Sequence, residues 1–192
     1  MILLQWIGGL GYLLNKIFFS WAERAEKRQS PDQSRRWRIF AWVTYLIGLP
    51  PWVIIFAQKG NWIAASVEAS GAPAMILGLI AAIRSNNTKP PVWLDRLAQL
   101  AIAVGFSYSL WVNRGLSTLS QWLEIGLVLG FLVGTYLTAK KQRQGYLWLV
   151  LMHVSCGTLM YLHGFMMLLA QQIISLIFIA DAYWQSRTSP PC

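Results

Sequence analysis

Charge is what this chain has least of. Aspartate and glutamate together number only 7, and charged residues of all kinds make up 12% of the 192 residues. Soluble domains carry about 25%, so a water-facing globular fold is excluded. Histidine and cysteine are scarce too, at 2 each. Cys156 lies within an apolar run and Cys192 is the last residue. That placement implies no disulfide framework and offers no metal-ligand spacing. His153 and His163 have no acidic ligand beside them. The chain also lacks a glycine-rich phosphate loop, a His-Glu-x-x-His pair and a nucleophile elbow. Its polar stretches are too short for a nucleotide-binding domain. These absences argue against an enzyme, against a cofactor, and against ATP-driven transport by this chain alone.

Hydrophobic residues, in contrast, make up 56% of the chain. They fall into seven runs, 2–20, 37–57, 62–83, 92–112, 116–139, 146–162 and 165–184. Each run is close to the ~20 residues that a helix needs to cross a hydrocarbon core at about 1.5 Å per residue. The expected fold is therefore an all-α integral membrane protein with seven transmembrane helices. The first run has no basic segment before it and continues to Phe19, which predicts a retained helix rather than a cleaved signal peptide. Gly8, Gly9 and Gly11 predict close helix contact in that run. Asn15 and Lys16 are placed near its inner end, with the lysine snorkelling outward. The segment 21–37 reads as a solvated, partly helical loop against lipid headgroups. Pro50 and Pro51 predict a kink in the second run and Pro73 a break in the third. The segment 86–91, Asn-Asn-Thr-Lys-Pro-Pro, reads as an extended linker.

The net charge of +9 comes from bases clustered between the apolar runs. With the N-terminus outside and the C-terminus inside, all of the 16 basic residues except Lys59 and Arg114 lie on the cytoplasmic side. This is the positive-inside pattern, so the partner implied is a lipid bilayer and not nucleic acid. Trp21, Trp37, Trp62, Trp93, Trp111, Trp122 and Trp184 then fall at the interfaces, as an aromatic belt requires.

A weak internal repeat is present. Aligning Gly60 with Gly164 sets Glu68 opposite Gln172 and one position from Gln171. Runs one to three and five to seven then read as two parallel three-helix repeats joined by a linker helix. The corresponding segments are 1–84, 85–113 and 114–192, a 3+1+3 order with a site expected between the halves.

Polar groups inside the apolar runs are the candidate site residues, because lipid cannot satisfy them and they mark solute paths. Glu68 is the foremost, as an acceptor for ribose or amine groups. Gln171 and Gln172 diverge by about 100° on a helix, so at most one is expected to face the path squarely, with bonding between helices as the alternative role. His153 could bind a solute, titrate, or bond a backbone carbonyl. Trp52, beside the proline pair, could stack on a planar ring or belong to the belt. Asp181 reads as structural, paired with Arg187 or Lys140.

The stretch from Leu137 to Gln185, with Gly145, Tyr146, Trp148, Leu149, His153 and Gln171, resembles the last three helices of PnuC-type vitamin transporters. In that family the sixth helix opens with Asn-Trp-x-x-Trp, where this chain has Gly145, Tyr146 and Leu149, with Trp148 one residue out of register. Gln171, and Glu68 in the first repeat, match the family's glutamate or glutamine. The resemblance implies a 3+1+3 bundle that moves nicotinamide riboside, or another small vitamin- or nucleoside-like solute, by facilitated diffusion. Tyr146 and Trp148 join the substrate-binding candidates on this ground. An inner-membrane location and a homotrimer are implied in the same way. The alternative from another class is a non-transporting membrane subunit that docks a protein partner.

Overall fold

The computed structural model describes residues 2–84, 91–113 and 117–188. Among them lie seven α-helices: α1 Ile2–Lys27, α2 Pro31–Gln58, α3 Trp62–Ile83, α4 Val92–Asn113, α5 Leu119–Ala139, α6 Gln144–Leu162 and α7 Met166–Thr188. Five of these, α2, α3, α5, α6 and α7, are long and apolar enough to cross a membrane. The other two, α1 and α4, have similar length. They are interrupted by Asn15 and Lys16, and by Asp95, Arg96 and Gln99. Both still expose apolar side chains outward, including Leu3, Trp6 and Leu10 on α1 and Leu100, Val104 and Trp111 on α4. An apolar exterior of this extent marks contact with lipid. Most of the linker segment 86–91, together with Lys89, Arg114 and Cys192, lies outside the described residues.

Two expectations are corrected. The segment 21–37 is not a loop: α1 continues to Lys27 and α2 starts at Pro31, where proline's missing N–H costs a helix nothing. Pro73 does not break its helix, since α3 runs through it; α2 likewise continues through Pro50 and Pro51.

Four tight turns share one geometry. Each has a residue at positive φ: Gln29 at 56°, Gly60 at 70°, Lys141 at 56° and Gly164 at 74°. At each, two backbone N–H groups bond carbonyls three and five residues back. Gln29 N–H donates to Glu26 and Ser30 N–H to Ala25, while Gly60 donates to Ala57 and Asn61 to Phe56. Lys141 donates to Thr138 and Gln142 to Leu137, while Gly164 donates to Tyr161 and Phe165 to Met160. These are Schellman caps, which satisfy the last carbonyls of a helix and reverse the chain. Helix starts are fixed locally as well. Asn61 accepts from the Ala64 N–H at 3.1 Å, and Thr118 with Gln121 forms a capping box before α5.

The helices close into a ring. α1 packs on α2, α2 on α3, α3 on α5, α5 on α6, α6 on α7 and α7 back on α1; α4 lies against α3 and α5 only. Small residues make the tightest seams. A Cβ on Gly11 would lie 2.8 Å from the Thr44 carbonyl oxygen of α2, and one on Gly130 would lie 2.5 Å from the Met152 backbone nitrogen of α6. The core inside the ring is aromatic-rich, with Phe19, Trp42, Tyr45, Phe131 and Tyr146 all buried.

Substitutions at three positions test these seams and turns. Gly130→Ala meets backbone rather than a movable side chain, so it destabilises the protein by about 1–3 kcal/mol. Gly157→Ala, whose nearest neighbours would be 3.7 Å away, leaves the melting temperature of the detergent-purified protein unchanged. Gln29→Gly relieves a left-handed backbone of about 1 kcal/mol and raises that temperature; a fall would show that the Gln29 side chain itself holds the turn.

Candidate functional site

The interior of the ring is polar along one face of α1. Gly8, Tyr12 and Lys16 recur at four-residue intervals, which stacks them on one side of a helix. Beside Gly8 lies the Trp52 indole, so close that a Cβ there would be 2.8 Å from Nε1. One turn on, the Tyr12 hydroxyl donates to Glu68 Oε2 at 2.5 Å, joining α1 to α3. One turn further, Lys16 is buried at 1% exposure. Its ammonium donates to Asn15 Oδ1 at 2.8 Å and rests 4.2 Å from the centroid of the Tyr45 ring, a cation–π contact. Asn15 in turn donates to the Ala41 carbonyl at 2.9 Å, and Tyr45 lies 3.4 Å from the Thr135 hydroxyl of α5. His153 Nδ1 is 2.7 Å from Gln172 Oε1, joining α6 to α7. His153 and Lys16 are both buried, on helices that belong to the same ring.

The expected residues therefore divide into three groups. Glu68, His153 and Gln172 face the interior described above, and Trp52 lines its end. Gln171 donates to the Gly9 carbonyl at 3.1 Å, so it binds α7 to α1 while Gln172 points to α6, as their angular separation requires. Tyr146 and Trp148 are elsewhere. Tyr146 is buried two turns from His153, with its hydroxyl donating to Glu23 Oε1 at 2.6 Å. Trp148 stands about 140° around α6 from His153 at 100° per residue, half-buried, and its carbonyl packs against Gly130 of α5. An open depression lined by Ala103, Val104, Ser107, Tyr108 and Trp111 belongs to α4 alone and includes none of these residues.

Lys16 is the residue that sequence reasoning misplaced. It does not snorkel, because it sits on the face of α1 that carries Tyr12, and that face points into the ring. The four-residue spacing puts Lys16 on the Tyr12 face, but the direction of that face is set by the rotation of α1. Among the described residues four buried side-chain polar atoms lack a hydrogen-bond partner: Ser109 Oγ and Thr138 Oγ1, away from these residues, and His153 Nε2 and Trp52 Nε1 within the group just described. With Gln172 presenting its oxygen, Nδ1 of His153 carries the proton and Nε2 is a bare acceptor. Among the described residues no group of three or more histidine, cysteine, aspartate or glutamate side chains could hold a metal ion.

The basic end of the ring is held by charge. Arg38 of α2 pairs with Glu23 at 2.7 Å and Glu26 at 2.6 Å, and Tyr146 adds α6 to the network. Asp181 pairs with Arg24 at 3.0 Å and accepts from Ser20, rather than pairing with Arg187 or Lys140 as expected. The extension of α1 as a helix past residue 20 is what brings Arg24 to α7. Lys140 instead pairs with Asp95 at 3.2 Å, and Tyr136 donates to the same carboxylate at 2.8 Å. Arg35 donates to the last carbonyls of α3, at Ala82 and Ile83. Burial pushes the Glu26 carboxyl up, but the Arg38 guanidinium, aided by Lys141 and Ser34, outweighs it and holds the carboxyl below its ordinary value.

No family model, no curated protein and no solved structure matches this chain.

Removing Arg38 leaves Glu23 buried without a counter-charge. Arg38→Met therefore destabilises by about 3–5 kcal/mol, the usual cost of breaking a buried pair, read as a fall in melting temperature at pH 7. Because the folded Glu26 carboxyl titrates lower than the unfolded one, its contribution is complete above the ordinary value of 4.5 and is lost as the pH falls through the depressed one. Stability of the wild type should drop over that acid range more steeply than that of Arg38→Met.

Proposed function

We propose that the chain is a membrane transporter which passes a small vitamin- or nucleoside-like solute by facilitated diffusion, through the interior between two parallel three-helix repeats. The observation that carries this reading is the column of half-buried Trp52 and Tyr12–Glu68 ending on the buried Lys16, faced by the buried His153, within a ring of helices. Buried ionisable groups in a membrane-spanning bundle are costly and mark solute or ion paths. The 3+1+3 order draws support from packing. Exchanging α1, α2 and α3 for α5, α6 and α7 turns the set of ring contacts into itself, with α4 left outside. The four Schellman turns agree, since Gln29 then pairs with Lys141 and Gly60 with Gly164. In the first of these registers Phe19 coincides with Phe131, and both are buried. The distribution of bases supports the N-out, C-in orientation in an inner membrane. The resemblance to PnuC-type transporters adds nicotinamide riboside or a relative as solute, and a trimer as assembly.

A second reading has its own observation. Glu68 and Gln171 are each bonded to another helix, as purely structural polar residues are. A non-transporting membrane subunit that docks a protein partner would need nothing more of them.

Thermal unfolding of the detergent-purified chain against a panel of vitamins and nucleosides separates the two. A ligand at a hundred times its Kd stabilises by about 2.7 kcal/mol, a rise of roughly 5–10 °C for a chain of this size. Glu68→Ala should abolish the rise and block uptake of the same solute into proteoliposomes. If no member of the panel shifts the transition at millimolar concentration, the partner-binding subunit is the better description.

A further inference from the structure

We propose that the solute carries a carboxylate and that Lys16 is the residue that receives it, so that the chain selects vitamin-like acids over neutral amides and cations. This deepens the transporter reading and rests on it. Lys16 is the most completely buried charge in the ring. An ammonium has three N–H donors, and here one is used, by Asn15 Oδ1. The Tyr45 ring offers its face to the charge but no lone pair. Among the described residues no carboxylate lies within ion-pair distance of Lys16. Glu68 is held at the level of Tyr12, one turn from Lys16 along α1, with one oxygen bonded by the Tyr12 hydroxyl. Buried charges are ordinarily paired and hydrogen-bonded. Among the described residues two of the three N–H groups of Lys16 have no acceptor, and that requirement is unmet.

The rest of the column fits the same ligand class. From Gly8, where Trp52 lies, to Lys16 is about 12 Å along α1 at about 1.5 Å per residue, the length of a small vitamin. The Trp52 Nε1–H and the His153 Nε2 lone pair, both buried and without partners, offer one donor and one acceptor to the polar groups of such a solute. The rings of Tyr12 and Trp52, 6.5 Å apart, supply apolar walls. A pyridinium or thiazolium cation entering the same space would meet the Lys16 ammonium as a like charge in a medium of low dielectric, where repulsion is poorly screened. The positively charged solute suggested by the resemblance is therefore the kind this interior disfavours.

The test compares matched pairs at pH 7: nicotinate, biotin and pantothenate against their primary amides, with thiamine and nicotinamide riboside as cations. Binding to the full-length protein in detergent is measured by calorimetry. Wild type should bind at least one acid tenfold or more tighter than its amide and bind neither cation measurably. Lys16→Met should erase the acid preference and Lys16→Arg should retain it. The wild-type comparison needs no variant, so a misfolded Lys16→Met would not rescue the proposal. Equal affinity for acid and amide, or tighter binding of a cation, overturns the carboxylate assignment while leaving a transporter. Retention of the preference in folded Lys16→Met overturns the role of Lys16. Absence of binding by every member of the set overturns both this inference and the transporter reading.

Discussion

An ammonium group withdrawn from water must be compensated by what the protein arranges around it, and the burial of Lys16 is the constraint that the rest of the interior answers to. Asn15 is fixed by the Ala41 carbonyl so that its oxygen can accept from the lysine. Tyr45 presents a ring face to the charge. Tyr12 meets Tyr45 edge-on at 4.8 Å and holds the Glu68 carboxylate. These contacts tie α1 to α2 three times and to α3 once, so the position of one charge is written into α1, α2 and α3 together. In a lipid environment there is no outside solvent to correct a misplacement, which makes such an arrangement specific as well as costly.

The outer shell obeys a simpler rule. Glycines at the α1–α2 and α5–α6 seams let backbones approach, and identical caps reverse the chain at four places. Ion pairs, by contrast, are confined to the end where the bases cluster. Two kinds of glue are thus separated in space: close packing through the apolar span, charge at the end that meets water and headgroups. Arg38 is the exception that joins them, since it is buried while serving the charged end.

Much of this was legible in the sequence. The runs of apolar residues located all seven helices, because the requirement for length and apolarity acts on composition directly. The glycines at 60 and 164 marked their turns, since only a left-handed residue closes them. The turns at Gln29 and Lys141 were not readable, because their residue types do not advertise positive φ. The helical nature of 21–27 was missed for a related reason: its polarity suggested solvent, whereas Glu23 and Glu26 are partners for a base on the next helix. Among the site residues, Glu68 and His153 declared themselves by being polar where lipid is expected. Lys16 did not, because a lysine late in an apolar run has two ways to avoid lipid, outward along its stem or inward to the ring, and only the rotation of α1 decides between them. Tyr146 was assigned by motif alone, and its neighbours Glu23 and Arg38 lie too far off in sequence to be foreseen.

The placement of α4 outside the ring makes the two long seams unequal. On one flank α3 and α5 meet with α4 lying across both, a backing pinned at its charged end by Asp95 to Lys140 and Tyr136. On the other, α1 and α7 meet through replaceable polar bonds: Gln171 to a carbonyl at one level, Arg24 and Ser20 to Asp181 at another. Mechanically the molecule is bound like a book, with a spine at α4 and a clasp at α1–α7. Relative movement of the two halves would cost least where hydrogen bonds can be exchanged for water, and most where side chains are interleaved.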